Sequence, residues 1–280
     1  MRTPTRTPVR KKSLLRATLT IGLMLCASAA FSQAKPEMIT VPLSRPGEPI
    51  TLKIGILSAR IEVIGEDRKD AQFAITMAGG ERKIKTPSGT KTLAGGGGAI
   101  SVEEDDNTIE VDSDARTTRI DIVARIPRRA DLDLSTVNDG EILVRDIAGA
   151  LQLENVNGPI TATNINGSVI AESVNEAIKV VFTGISANGA TSLTSLNGDL
   201  IVSLPTNAGV ELRIDNSQGG VESDFEIDVK PTKPTIERNE GRGSMSVRVE
   251  DVIVGTINGG GPVIKMKTLN GNVRIAKTGK

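Results

Sequence analysis

Histidine, tryptophan and tyrosine are absent from the 280 residues, phenylalanine occurs four times and cysteine once. Without histidine there is no imidazole general base and no histidine-ligated zinc. Without tryptophan or tyrosine there is no broad aromatic face for a sugar ring, and the anchors that dominate most recognition surfaces are missing. The lone Cys26 has no partner in the chain, and a secreted domain of this size buries enough surface to stand without disulfides. What remains for recognition is shape, backbone and short polar side chains.

What is present begins with MRTPTRTPVRKKSLLR, six basic residues and no acid, followed by the apolar run ATLTIGLMLCASAA. This is the pattern of a secretory signal, and the run is shorter than the roughly 20 residues that cross a bilayer. Small residues at Ala27-Ser28-Ala29 and Ser32-Gln33-Ala34 supply cleavage sites, so residues 1–34 are expected to be a signal peptide. If uncleaved, that segment would be the chain's contact with a membrane. Cys26 follows Leu23-Met24-Leu25, not the small residue of a lipoprotein signal. Loss of the leader leaves 28 basic against 34 acidic residues, a balance that argues against nucleic acid or an anionic membrane surface as partner. The expected location is outside the cytoplasm, in the periplasm or at the cell surface.

The middle of the chain repeats itself. In units of nine, EILVRDIAG (141–149), ALQLENVNG (150–158), PITATNING (159–167), SVIAESVNE (168–176) and, after a longer unit, ATSLTSLNG (190–198) follow one another. Positions two, four and seven are apolar in fourteen of fifteen cases, Thr191 excepted, while positions three and five are apolar only at Leu143 and Ile170. Alternation from two to five marks a short strand with one buried face. The step from four to seven breaks that parity, so the chain is expected to bend at position six and bring position seven inward. Asn-Gly then closes most units and suits a corner needing positive φ, with stacked asparagines bonding between coils. The structural turns expected on this basis are Asn157-Gly158, Asn166-Gly167, Asn197-Gly198 and Asn270-Gly271.

A meander of hairpins also uses Asn-Gly, but nothing in a meander obliges each strand to repeat the same parity break. A chain winding one way gives every unit the same surroundings. The expected fold is therefore all-β, a single-stranded parallel β-helix (β-solenoid) of nine-residue coils. It would form one domain over 35–280, with N-terminal strands or a cap over 40–130 and regular repeats over 131–204. C-terminal coils follow over 205–280, interrupted by a polar loop at 228–244. The core list is Leu132, Leu151, Leu153, Val156, Ile160, Ile165, Val169 and Val174, and Arg145, Glu154, Thr163 and Glu172 would share an outward face.

The stretch ARIPRRADLDLSTVNDGEILVRDIAGALQLENVNGPITATNINGSVIAESVNE, together with ARIEVIGED before it and LNGNVRI near the end, resembles the bacterial putative-adhesin family of β-helical domains of otherwise unknown function. The resemblance spans residues 50–276, departs at the extra residue of Asn138-Asp139-Gly140 and at Asn175-Glu176, and brings no catalytic residues with it. It implies an exported, non-enzymatic surface or envelope scaffold that binds a protein or glycan ligand through its outward strand face; coil ends could also pair with one another, which the polar excursion at 228–244 and the charged last coil would oppose.

The enzymatic alternative is a calcium-dependent polysaccharide lyase or hydrolase. It would use Asp121, Asp131 and Asp133 on a common face, with Arg119 or Arg128 nearby. Glu103-Glu104-Asp105-Asp106 reads as a solvated hairpin tip, and Gly95–Gly98 as a flexible turn, since no Gly-Lys-Ser/Thr follows. Lys265 and Lys267 read as charge guarding an exposed sheet edge. No catalytic, cofactor-binding or metal-binding residue is singled out.

Overall fold

The computed structural model describes residues 36–77, 91–95, 98–115, 118–138, 140–231, 235–241, 244–250 and 252–279. The expected signal peptide and the central glycines Gly96 and Gly97 lie outside them. The fold is all-β, with no helix among the described residues. Among the described residues, twenty-one strands form one continuous sheet that turns back on itself around a single apolar interior, and a separate hairpin makes a second, two-stranded sheet.

The alternation legible in the sequence is the reason for the strands. Leu151 and Leu153, Ile160 and Ala162, and Val169 and Ala171 all point inward, while the residues between them face solvent or the sheet surface. The hydrogen-bond register is parallel: Ile142 opposes Ile160, which opposes Ile178. Leu132 opposes Leu151, which opposes Val169. Each strand therefore pairs with one about eighteen residues away, two sequence units and not one. The nine-residue units alternate between two ladders, and one unit from each makes a layer.

Eight such layers stack among the described residues, and their spatial order departs from sequence order at both ends. Thr108–Ser113 with Ile120–Pro127 is followed by Ile50–Ile56 with Ala59–Glu66, then by Ala130–Thr136 with Ile142–Arg145. The next layers run in sequence to Thr191–Ser195 with Leu200–Leu204. Val263–Thr268 with Val273–Lys277 then slots in ahead of Val210–Asn216 with Val221–Ser223. The return of the repeat at residue 263 is thus a spatial neighbour of the unit at 190. Antiparallel strands close the stack: Asp70–Met77, Glu37–Pro42 and Gly98–Asp105 at one end, Val252–Ile257 and Asp228–Lys230 at the other. The segment expected to be a loop at 228–244 instead carries strand Asp228–Lys230 and one arm of the hairpin Thr235–Gly241/Ser244–Glu250.

The corners correct the expectation that every unit bends alike. In units 141–149 and 159–167, Asp146 and Asn164 adopt left-handed φ of 60° and 57°, and Ile147 and Ile165 turn inward as expected. In the intervening units the strand parity continues instead. Asn155, Ser173 and Ser195 are buried at position six, Val156 is half-buried, and Val174 and Leu196 are 37% and 45% exposed. The inward polar side chains bond the backbone of the tight turn beside them. Asn155 Nδ2 donates to Gly140 O (3.1 Å), Ser195 Oγ accepts from Gly198 N–H (2.9 Å), and Thr268 Oγ1 donates to Gly198 O (3.0 Å). A turn this tight leaves amides and carbonyls facing inward, and an unpaired one costs about 1–3 kcal/mol. A polar residue there therefore does more than a hydrophobe would, and Val156 and Val174 leave the core list.

Candidate functional site

The expected Asn-Gly turns divide into two roles. At the corner after four consecutive strands of the Leu132–Leu151–Val169 ladder, Asn157, Asn175, Asn197 and Asn270 stand one above another. Asn175 Nδ2 donates to Asn157 Oδ1 at 2.7 Å, Asn197 Nδ2 to Asn175 Oδ1 at 3.0 Å, and Asn270 Nδ2 to Asn197 Oδ1 at 2.8 Å, while Asn157 Nδ2 ends the chain on Val137 O at 3.0 Å. Asn175 is bonded on both sides. Replacing it by Ala should cost about 1 kcal/mol, read as a small fall in melting temperature that Asn138→Ala, outside the ladder, does not reproduce.

The glycines beside them are needed for space. Gly158, Gly198 and Gly271 do not have positive φ. A Cβ at each would meet the backbone oxygen of the layer below: Gly140 O at 1.6 Å, Glu176 O at 2.0 Å and Gly198 O at 2.1 Å. Asn166-Gly167 is no turn at all, because the strand Ile160–Ser173 runs through it. There a Cβ on Gly167 would lie 1.9 Å from Gly149 O.

The residues expected on one outward face fall on two. Arg145 opposes Thr163 in one ladder, and Glu154 opposes Glu172 in the other. The aspartates of the enzymatic alternative part in the same way. Asp131 and Asp133 lie on Ala130–Thr136, whereas Asp121 lies on Ile120–Pro127 in the other ladder and is paired with Arg119 at 3.1 Å. The alternation of all three is real, but the chain rounds a corner between them at Pro127–Arg129. Arg128 is held by Asp146 at 3.5 Å. Among the described residues no three His, Cys, Asp or Glu side chains are grouped to hold a metal ion.

The two faces differ in electrostatics. On the Arg145 face, Glu62 is buried between Arg60 (3.3 Å) and Arg145, Arg60 also reaches Glu141 at 3.2 Å, and Glu66 is shared by Arg68 (3.3 Å) and Arg125. These carboxylates are each matched by an arginine. On the other face, Lys53 bonds Glu110 at 2.7 Å and stands in register beside Asp133, whereas Asp112, Glu154 and Glu172 face solvent with no ion pair among the described residues. Glu154 accepts only an amide bond from Gln152 and sits in register beside Glu172, a like-charge pair that is unfavourable across strands. Gly55 leaves a hollow of about 210 Å³ among Lys53, Glu110, Asp112, Asp133 and Ser135. The Lys53 ammonium is raised above its ordinary pKa by its hydrogen bond to Glu110, then by the charges of Glu110 and Asp133. Lys53, Glu110 and Asp112 were not singled out from the sequence, because only the non-sequential register brings them beside Asp133.

The basic residues close the far part of that face. Lys265 and Lys267 lie on an internal strand, paired on both sides, so they guard no edge; Lys267 bonds Asp215 at 2.6 Å. The acidic tip is more than a solvated turn. Asp106 and Asn107 carry the left-handed turn, and buried Asn107 accepts from Arg45 N–H at 2.7 Å. The Glu104 carboxylate is drawn upward by partial burial, but the Ser44 and Asn107 amides bonding it hold it below its ordinary pKa.

No family model matches the chain, and no curated protein matches it. Two solved bacterial structures are similar at 12% identity. A putative cell adhesion protein from Clostridium sporogenes is matched over 87% of this chain and 100% of its own with a TM-score of 0.44. A putative adhesin from Bacteroides fragilis is matched over 87% and 97% with a TM-score of 0.33.

Proposed function

We propose that the two parallel ladders are the sides of a β-solenoid, exported from the cytoplasm, that works without catalysis as an adhesin-like surface or envelope scaffold. The in-register stacking at eighteen-residue intervals and the single apolar interior support the solenoid reading. The observation that carries the binding role is the unmatched acidic face. Glu154 and Glu172 stand side by side across neighbouring strands with no cation paired to either among the described residues, and Asp112 and Asp133 project from the same ladder. A partner with cationic groups at strand spacing, about 4.8 Å, would relieve that repulsion.

Binding of the purified chain to envelope fractions of its host should fall severalfold when Asp133, Glu154 and Glu172 are replaced together by Ser, and should weaken as salt is raised. Equal binding by the variant overturns the role of this face. Protease shaving of intact cells separates the two locations, since removal places the chain at the surface and protection until the envelope is opened places it beneath.

A further inference from the structure

The corner on the other side of the layers, where chains pass from the Arg145 face to the acidic face, holds a cleft of about 500 Å³ lined by Asn166, Ser168, Ser186 and Asn188, with glycine and alanine backbone between them. Its chemistry contrasts with the first corner. There every stacked asparagine amide is bonded to the next, whereas the side chains of Asn166 and Asn188 have no partner among the described residues. Ser168 supplies a second, independent observation. It is 8% exposed, its hydroxyl has no protein partner among the described residues, and the backbone of Gly189 lies over it so closely that a Cβ there would stand 2.6 Å from Ser168 Oγ. That hydroxyl turns its free hydrogen-bonding capacity to the cleft it lines.

None of the lining residues is ionisable, and the neighbouring Asp131 carboxylate is engaged by the Ala150 N–H at 2.7 Å. The backbone of residues 148–150 is paired with that of 166–168, so this wall offers a peptide no strand edge. Amides and hydroxyls of mixed donor and acceptor character, on a shallow uncharged floor, match the hydroxyls of a sugar. We propose that this cleft binds one or two residues of a neutral glycan chain, with Ser168 at its floor and Asn166 and Asn188 at its sides. Lacking an aromatic platform, the site binds weakly. It lies off the acidic face, so it stands apart from the role proposed for that face.

The test is an amide chemical-shift titration of the chain with cellotetraose, maltotetraose and chitotetraose, and with tetragalacturonate as the acidic counterpart. At least one neutral tetrasaccharide should give saturable shifts at residues 149–150, 166–168 and 186–189, with tetragalacturonate weaker. Ser168→Ala should lower that affinity about fivefold, the loss of one hydrogen bond. Exposed Asn188→Ala should lower it similarly with the melting temperature unchanged, which keeps the test decisive even if Ser168→Ala disturbs the corner. The proposal is overturned if no neutral tetrasaccharide shifts these amides, if tetragalacturonate binds them as tightly, or if both variants bind like the parent chain.

Discussion

Gly158→Ala should lower the melting temperature by about 10 °C, a loss near 3 kcal/mol for a chain of this size. The added methyl would stand 1.6 Å from Gly140 O and 2.8 Å from Asn155 Nδ2. Neither neighbour is free to move. Gly140 O accepts the Asn155 side-chain amide, and the adjoining backbone is fixed by Val156 N–H to Thr136 O and Asn157 N–H to Val137 O. Two layers must separate or the turn must rotate, and either breaks the buried polar pairing that lets Asn155 point inward. Gly220→Ala is the matched control. Its nearest contact would be Asn272 Oδ1 at an ordinary 3.6 Å, and its φ is not in the left-handed region. Thermal melting of both variants decides the matter. A Gly158→Ala chain that melts with the parent would show that the layers do not approach as closely as the glycine column requires.

That glycine column also shows where sequence reasoning reached and where it stopped. Period-two alternation identified Leu151, Leu153, Ile160 and Val169 as core because a strand exposes alternate residues whatever lies around it. The outcome at position seven depends on something local patterns do not carry. At Asp146 and Asn164 the backbone turns left-handed and the next isoleucine enters the core. At Asn155 and Ser173 the polar residue itself enters, because a tight turn beside it needs hydrogen-bond partners. Both corners look alike in a nine-residue window, which is why the sequence period is half the structural one. The site was less legible still. Asp121 and Asp133 share a phase of alternation and differ in face, and nothing in the sequence marks Ser168 as enclosed, since its cover comes from Gly189, twenty-one residues later.

A chain ending at Gly261 should lose cooperative folding altogether. The last layer, Val263–Thr268 with Val273–Lys277, arrives at the end of the sequence yet sits inside the stack, paired to Thr191–Ser195 and Leu200–Leu204 on one side and to Val210–Asn216 and Val221–Ser223 on the other. It fills the interior with Ile264, Met266, Val273 and Ile275, each at most 1% exposed. At about 2 kcal/mol for each buried side chain, their removal takes away roughly 8 kcal/mol, comparable with the 5–15 kcal/mol by which whole domains are stable. The loss is worse than that of an end layer. Truncation at a terminal layer would shorten the stack by one, but here it leaves facing sheet edges open and separates the Val210–Asn216 layer, with its antiparallel closing strands, from the rest of the stack, so unpaired edges recruit other chains. The truncated chain should sediment as aggregate and show no melting transition by circular dichroism. Met266→Asp in the full chain should act in the same direction, costing about 4 kcal/mol for an unpaired charge in the interior, while Lys265→Asp, on the outward side of the same strand, should leave the transition in place. A soluble, monomeric product ending at Gly261 that melts near the parent temperature would mean that Val210–Asn216 can pair directly with Thr191–Ser195, and that the non-sequential layer is not required for the fold.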